Sequence, residues 1–415
     1  MARTLTKKKR PTRVTQRKSA AKRVYLDYAA ATPMRKEALA ALVAYEKKHP
    51  ENPSSIHRGG VFARRAIEEA RQVFAEGLSA HADEIIFTSN ATEANMTALT
   101  SAVEGFRAAF PGKTPEILIS SIEHASVHEG ALALVHAGKA IVREIPGDEY
   151  GTVSLKALRE LITPNTAIVS VMYANNEFGT IEPVKDIVKV AVRARKENQL
   201  RYPLVHTDAC QAAQFLDIAS SRLNIDFLTI SGAKFYGPKG VGVLYVRRGG
   251  SVTPVIPGEQ EQGRRGGTEW GAGIVAAATA FALARDASEK EEKRLRKLSG
   301  ALTADLMRRV PGVIINGHPT DRVPHIVNFS VPGMAHDYLA LALDAEGFAV
   351  STGSACTGTL GADSRVILAL KKQGVHGGIR VSLGSDTTAQ SLKEFVSALG
   401  RILARMEPYA DVSDI

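Results

Sequence analysis

Six short apolar runs, most of them separated by room for a helix, constrain this chain more than any other feature. They are EIIFTS (84–89), EILIS (116–120), AIVSVMY (167–173), LVHTDA (204–209), FLTIS (227–231) and VGVLYV (241–246). Near-continuous apolar character, rather than strict alternation, is the mark of strands buried on both faces. Helical spacing fills several of the gaps, over 92–105, 125–137, 155–162 and 183–197. Strands alternating with helices predict an α/β fold, with a mostly parallel sheet covered on both sides. Upstream, 35–48 and 60–76 read as helices split by the turn-rich HPENPSSIHRGG cluster at 49–60. After the GEQEQGRRGGTEW loop the rhythm changes. A helical tract at about 270–309 precedes strands near 312–316 and 325–331, and a helix near 336–346. A loop at 351–365, a further helix, a strand at 379–383 and a last helix near 388–404 complete it. We therefore expect a basic tail over 1–23, an N-terminal arm and large domain over 24–270, and a smaller α/β domain with its linking helix over 271–415.

The net charge of +10 belongs to the tail alone. Residues 1–23 carry ten Lys or Arg and no acid, which leaves 43 basic and 43 acidic groups in the rest. With few large apolar residues the tail is expected to be disordered. It lacks the apolar segment of a secretory signal. Contact with RNA or another polyanion is one reading of it; a solvated extension and a transit peptide are others. Two cysteines in 415 residues do not make a disulfide framework, so a reducing, cytoplasmic setting is expected and an organellar one stays open. No apolar run reaches the roughly 18 residues that a membrane span needs.

Ligands of open α/β sheets bind beyond the carboxyl ends of the strands, and that is where the polar residues gather. Asn90, Ala91 and Thr92 follow the first run and lead into a helix, whose free N–H groups and Thr92 hydroxyl can hold a phosphate. His124 follows the second run, Asn175 and Asn176 the third, Asp208 and Gln211 the fourth. Lys234 follows the fifth, inside Ser231-Gly232-Ala233-Lys234-Phe235-Tyr236-Gly237. Each has an ordinary reading alone: Thr92 as a helix cap, His124 packed against a strand end, Asp208 as a cap or ion-pair partner, the asparagines as turn formers, Lys234 as a solvated loop residue. Together at successive strand ends they point to one site. No His/Cys/acid spacing suggests a metal centre. No Walker lysine occurs, since Lys239 precedes Gly240 and Lys113 lacks the glycine loop.

A lysine, a carboxylate and a phosphate pocket are what pyridoxal phosphate requires. Lys234 can form the Schiff base, and Asp208 can keep the pyridine nitrogen protonated so that the ring accepts electrons. His124 can stack on the ring, and Gln211, one turn past Asp208, can reach the phenolic oxygen. Cys356 narrows the reaction. It lies in STGSACTGT (351–359), a segment rich in glycine and hydroxyls, where a mobile thiolate can reach a bound adduct. Cys210, at the start of a helix, reads as a packing residue.

The chain resembles the pyridoxal-phosphate cysteine desulfurases of the aminotransferase class V family, from about Val24 to about Ala404. The resemblance is carried by YLDYAAATP, NPSSIHRGG, FTSNATEANMTAL, EHASV, VSVMYANNEFGTIEP, HTDACQAAQ, TISGAKFYGPKGVGVLYVRRG, RRGGTEW, STGSACTGTL and IRVSLG. It implies a fold-type I enzyme acting on L-cysteine as a homodimer. Lys234 would anchor the cofactor, Asp208 would face the ring nitrogen, Gln211 the phenolic oxygen, and His124 would stack and assist proton transfer. Thr92 and Ser231 would hold the phosphate with Thr268 of a second subunit. Arg380 and Asn175 would hold the substrate carboxylate. Cys356 would become the persulfide, and its ACTGTLG loop is similar to the branch that delivers sulfur to acceptor proteins for iron-sulfur assembly or tRNA thiolation.

One departure stands out. The family usually has histidine before the anchoring lysine, where it helps bind phosphate; this chain has Ala233. Arg264 is a candidate to compensate across the dimer. A selenocysteine lyase, another enzyme of the same fold, and a cofactor-poor scaffold with a polyanion-binding tail remain the alternatives.

Overall fold

The computed structural model describes residues 23–353, 364–372, 375 and 377–406. Residues 1–22 of the tail and Cys356 lie outside the described residues. From the N-terminus run β1 (Val24–Tyr25), α1 (Lys36–Lys48), α2 (Arg58–Gly77), β2 (Ile85–Thr88), α3 (Ala91–Ala109), β3 (Glu116–Ser120), α4 (Ala125–His136) and β4 (Ile141–Ile145). Next come α5 (Leu155–Leu161), β5 (Thr166–Ser170), α6 (Val184–Asn198), β6 (Leu204–Asp208), α7 (Ser220–Leu223), β7 (Phe227–Ser231) and β8 (Gly242–Val246). The C-terminal part holds α8 (Gln260–Gly263), α9 (Gly271–Asp286), α10 (Ser288–Arg309), β9 (Ile314–Asn316), β10 (Ile326–Ser330) and α11 (His336–Ala345). It ends with β11 (Phe348–Ala349), α12 (Arg365–Leu368), β12 (Ile379–Ser382) and α13 (Ala389–Met406).

Seven strands form the large sheet in the order β2-β8-β7-β6-β5-β3-β4. All neighbours are parallel except β8, which runs antiparallel to both β2 and β7. Side chains alternate across the sheet, so consecutive residues of one strand serve different cores. Ile117 and Ile119 of β3 point into the cluster under α3 and α4, with Ile86, Ala98, Val127 and Leu244. Leu118 between them joins the opposite cluster, with Val169, Val205, Leu228, Ile187 of α6 and Phe281 of α9. Both faces being buried explains why the strands read as continuous apolar runs. β4 is the exception: its IVREI sequence lies at the sheet edge and is mostly exposed, and no apolar run announced it.

A three-stranded antiparallel sheet, β12-β10-β9, carries a second core. Leu392, Phe395, Val396, Leu399 and Ile402 recur at helical spacing along α13 and pack there with Phe329 and Val381. The N-terminal arm enters this core through Leu26, and Phe215 enters it from the segment after β6. The expected helical tract at 270–309 is two helices meeting at Ala287. α9 packs closely against α1 and α2, whereas α10 turns to α13. The crossing arm places Asp27 to Ala30 between the two cores, at the carboxyl ends of the large sheet's strands.

Candidate active site

A cavity of about 340 Å³ opens there, lined from the arm, from the ends of β2, β3, β5, β6 and β7, and from Ser351, Gly353 and Arg380. Thr92, His124, Asp208, Gln211, Ser231, Lys234 and Arg380 all line it.

The Lys234 amine donates to two carbonyls of the arm, Ala29 at 2.9 Å and Ala30 at 2.6 Å. Burial lowers its pKa from the ordinary lysine value, with further lowering from Arg380 and partial relief from Asp208. The shift brings the neutral amine, which is the nucleophilic and basic form, within closer reach than in a solvated lysine. Asp208 accepts from Asn95 Nδ2 at 2.7 Å and from the Cys210 N–H at 2.9 Å. Neither partner is a cation, so among the described residues no hydrogen-bonded ion pair occupies the carboxylate that faces the cavity. Asn95 also donates to Ser126 Oγ at 2.8 Å, and the Ser126 N–H donates to His124 Nδ1 at 3.1 Å. That contact makes Nδ1 an acceptor and puts the ring proton on Nε2. Burial lowers the His124 pKa, which agrees with a neutral ring.

The phosphate-sized end of the cavity is the start of α3. Asn90 Oδ1 caps the Glu93 N–H at 2.9 Å, while the first N–H groups of the helix have no intrahelical acceptor. Exposed Thr92 and the Ser231 rim stand beside them. β8 presses directly on this turn, for a Cβ at Gly242 would come within 2.4 Å of the Asn90 carbonyl; only glycine fits. Ala233 also lines the cavity, and its carbonyl accepts from the N–H and hydroxyl of Thr32 at 2.8 and 3.0 Å. Arg264 does not face this gap within its own chain, because it donates to the carbonyls of Glu261 and Asp83 at 3.0 and 2.6 Å. Its neighbour Arg265 is nearer, paired with Glu93 of the first turn of α3 at 2.9 Å.

Arg380 projects from β12 with one nitrogen on the Asn176 carbonyl at 2.9 Å and another on Asp27 Oδ1 at 2.8 Å. Its Nε is buried without a partner among the described residues, so the guanidinium retains donors. Asn175 does not line this cavity. Its side chain is buried and fully engaged, donating to the Ile122 carbonyl at 3.1 Å and Met172 Sδ at 3.4 Å while accepting from the N–H groups of Glu177 and Phe178. It shapes the turn, whereas Asn176 lines the cavity with a buried side-chain oxygen that has no partner among the described residues. Thr268 also lies apart, beside Ser89, Gly240 and Trp270 rather than in this cavity.

The described ends of the segment that carries Cys356 meet at one carboxylate. Glu177 Oε2 accepts from Ser364 Oγ at 2.7 Å, and a Cβ at Gly353, whose φ is +80°, would come within 2.3 Å of it. Burial raises the Glu177 pKa. Sequence reasoning missed Asp27, Asn95 and His325 as parts of the site, and gave Asn176 no role beyond its place at a strand end. Asp27 was visible only as the acid in YLDYAAATP, and His325 carried no local signal.

The strand-end lysine, the carboxylate behind it and the helix N-terminus define a fold-type I enzyme of the aminotransferase class-V family. The model of that family matches residues 24–395, and the chain belongs to it. Among its relatives, the cysteine desulfurase IscS of Dictyoglomus turgidum is 40% identical over 386 residues, covering 92% of this chain and 95% of that one. The cysteine desulfurase IscS of Methanosarcina thermophila is 38% identical, covering 93% of each. Among solved structures, a NifS-like protein superimposes with a TM-score of 0.84 at 32% identity, covering 92% of this chain and all of the other.

Proposed function

We propose that this chain is a pyridoxal-phosphate-dependent cysteine desulfurase that converts L-cysteine to L-alanine and passes on the sulfur as a persulfide of Cys356. The observation that carries this reading is the convergence of Lys234, Asp208, Gln211 and Arg380 on one cavity. The cofactor fits the residues present: Asp208 is a cavity carboxylate with no cationic hydrogen-bond partner among the described residues, and the start of α3 offers unpaired donors. Lys234 would hold the cofactor covalently, Asp208 would face its ring nitrogen, Gln211 its phenolic oxygen and His124 its ring. Thr92 and Ser231 would take the phosphate. When bound, pyridoxal phosphate supplies an electron sink for negative charge at the substrate Cα.

The chain's own residues supply the rest. Arg380 offers its remaining donors to the substrate carboxylate, and Asn176 shares that wall. The neutral Lys234 amine takes the Cα proton at Nζ and can rest on the Ala29 and Ala30 carbonyls as an ammonium. The Cys356 thiolate forms a bond to the substrate sulfur as the substrate's Cβ–S bond breaks. The pair of electrons from that bond stays on Cβ, which takes up a proton to become the methyl group, and Lys234 Nζ returns a proton to Cα to complete alanine. An acceptor thiol then removes the terminal sulfur, and iron-sulfur assembly or tRNA thiolation is the use we assign it.

A second copy of this chain completes the site. Exposed apolar side chains on α1, α2 and the neighbouring loops, among them Leu39, Ile56, Val61, Phe62, Ile256 and Trp270, form a surface suited to a homodimer, near the loop that carries Thr268. We take residues 24–270 and 271–415 as the two domains. Among the described residues no helix is long and apolar enough to cross a membrane; we place the protein in the cytoplasm. The test is to add pyridoxal phosphate to the purified protein, supply L-cysteine with a reductant, and measure alanine and sulfide. Cofactor-loaded protein should form both, and Lys234→Ala neither. A loaded wild type that forms no alanine would overturn the reading.

A further inference from the structure

His325, immediately before β10, is buried and lies 114 residues from Gln211 in sequence, yet its Nε2 is 3.1 Å from Gln211 Oε1. The other end of the Gln211 amide donates from Nε2 to the Ala29 carbonyl at 2.9 Å. A carbonyl only accepts, so the atom facing Ala29 must be the NH2 group and the atom facing His325 must be the oxygen. The oxygen in turn needs a donor, which fixes the imidazole proton on Nε2. The ring cannot turn easily: it packs on Phe215 with centroids 5.0 Å apart and planes 33° apart. Its backbone is pinned by the Leu383 N–H, which donates to the His325 carbonyl at 2.8 Å.

The second ring nitrogen is the telling detail. Nδ1 is buried and has no partner among the described residues. A bare lone pair is tolerable there, whereas a second N–H would be an orphaned donor, and in a charged ring would add to the nearby positive charges of Arg380 and Lys234. Burial, with smaller contributions from those two cations, pushes the His325 pKa down to about 3. The ring is therefore a neutral, single-donor device. It is also the contact through which the smaller sheet reaches Gln211, since β10 pairs with the strand that carries Arg380.

We propose that His325 is a positioning residue which holds the Gln211 amide with its NH2 group toward the cavity, leaving one N–H free for the phenolic oxygen of the bound cofactor. Without the His325 donor the amide keeps only the Ala29 carbonyl to set its orientation, and a flipped amide would set its oxygen against that phenolic oxygen. The inference rests on the cofactor reading given above.

The experiment compares wild type with His325→Phe, which keeps a ring on Phe215 and lacks the donor, and with His325→Gln, which restores an N–H. Apo-protein is titrated with pyridoxal phosphate for the dissociation constant, and the absorbance of the loaded protein is followed against pH. Loss of one well-placed hydrogen bond should weaken cofactor binding roughly fivefold to tenfold in His325→Phe. A phenolic oxygen deprived of its donor should raise the pH midpoint of the absorbance change by roughly half to one unit. His325→Gln should return both toward wild type, and His325→Phe should add nothing in a Gln211→Leu background. A purely structural role would lower thermal stability without moving the midpoint or responding to the Gln211 background. If His325→Phe does not fold, His325→Met serves as the donor-free variant. Unchanged affinity and midpoint in a folded donor-free variant would overturn the proposal and leave the assigned activity standing. A wild type that binds no cofactor would overturn both.

Discussion

Glu123 gives a prediction whose size follows from the structure. It directly precedes His124, and its Oε1 accepts from Ser120 Oγ and from the Met172 N–H. Its Oε2 is buried without a partner among the described residues. Complete burial raises its pKa from 4.5 to about 8, reinforced by the charge of Asp208 and opposed by the two hydrogen bonds and Arg365. The folded chain thus keeps a proton that the unfolded chain releases above pH 4.5. The stability linked to this group is fully present below pH 4.5 and is lost as pH rises toward 8. Each pH unit inside that window costs about 1.4 kcal/mol, so the loss is about 3 kcal/mol at pH 7. Glu123→Gln matches the protonated acid in shape and carries no such linkage. Denaturant unfolding of apo-protein at fixed concentration should show the variant gaining on wild type with pH, from little at pH 5 to about 3 kcal/mol at pH 7. The protonated-acid carbonyl stretch assigned to this residue should appear in the infrared spectrum of wild type at pH 7 and vanish in Glu123→Gln. A stability difference that stays flat between pH 5 and 8 would refute the reasoning.

Other consequences are separable. Arg380→Lys loses the planar fork and should cut kcat/KM for L-cysteine by roughly tenfold to a hundredfold, mostly through KM, as steady-state alanine formation would show. Asn175→Ala breaks four buried hydrogen bonds and should cost about 2–3 kcal/mol of stability. Asn176→Ala should leave unfolding nearly unchanged and lower kcat/KM, and the two variants are distinguished by denaturant melts run beside kinetics. His206 and His325 are held neutral by burial, with pKa values pushed down to about 4 and about 3. The stability they contribute is present above pH 6.5 and is lost as pH falls through those values. His206→Gln should therefore lose less stability than wild type between pH 6.5 and 4 in the same unfolding assay.

Much of this was legible because the strands are buried on both faces, so each announces itself as an apolar run and its carboxyl end can be read for ligand-binding residues. Lys234, Asp208, Gln211, His124 and Thr92 were found in that way. β4 was not, because at the sheet edge IVREI needs no buried face. The break at Ala287 was not either: neither glycine nor proline marks it, and packing of α9 and α10 against different partners sets the turn. Residues that reach the site from afar were invisible for a related reason. Asp27 meets Arg380 across 353 positions, and His325 meets Gln211 through the second sheet. Asn175 and Asn176 are adjacent and identical in type, so nothing in the sequence separates the turn-forming asparagine from the cavity-lining one.

The most direct measurement is a single turnover of cofactor-loaded protein with L-cysteine in the absence of reductant, followed by alanine determination and peptide mass mapping. The account predicts alanine together with one extra sulfur atom on Cys356, and neither in Lys234→Ala. A loaded wild type that yields no alanine, or yields it while Cys356 carries no added sulfur, would contradict it.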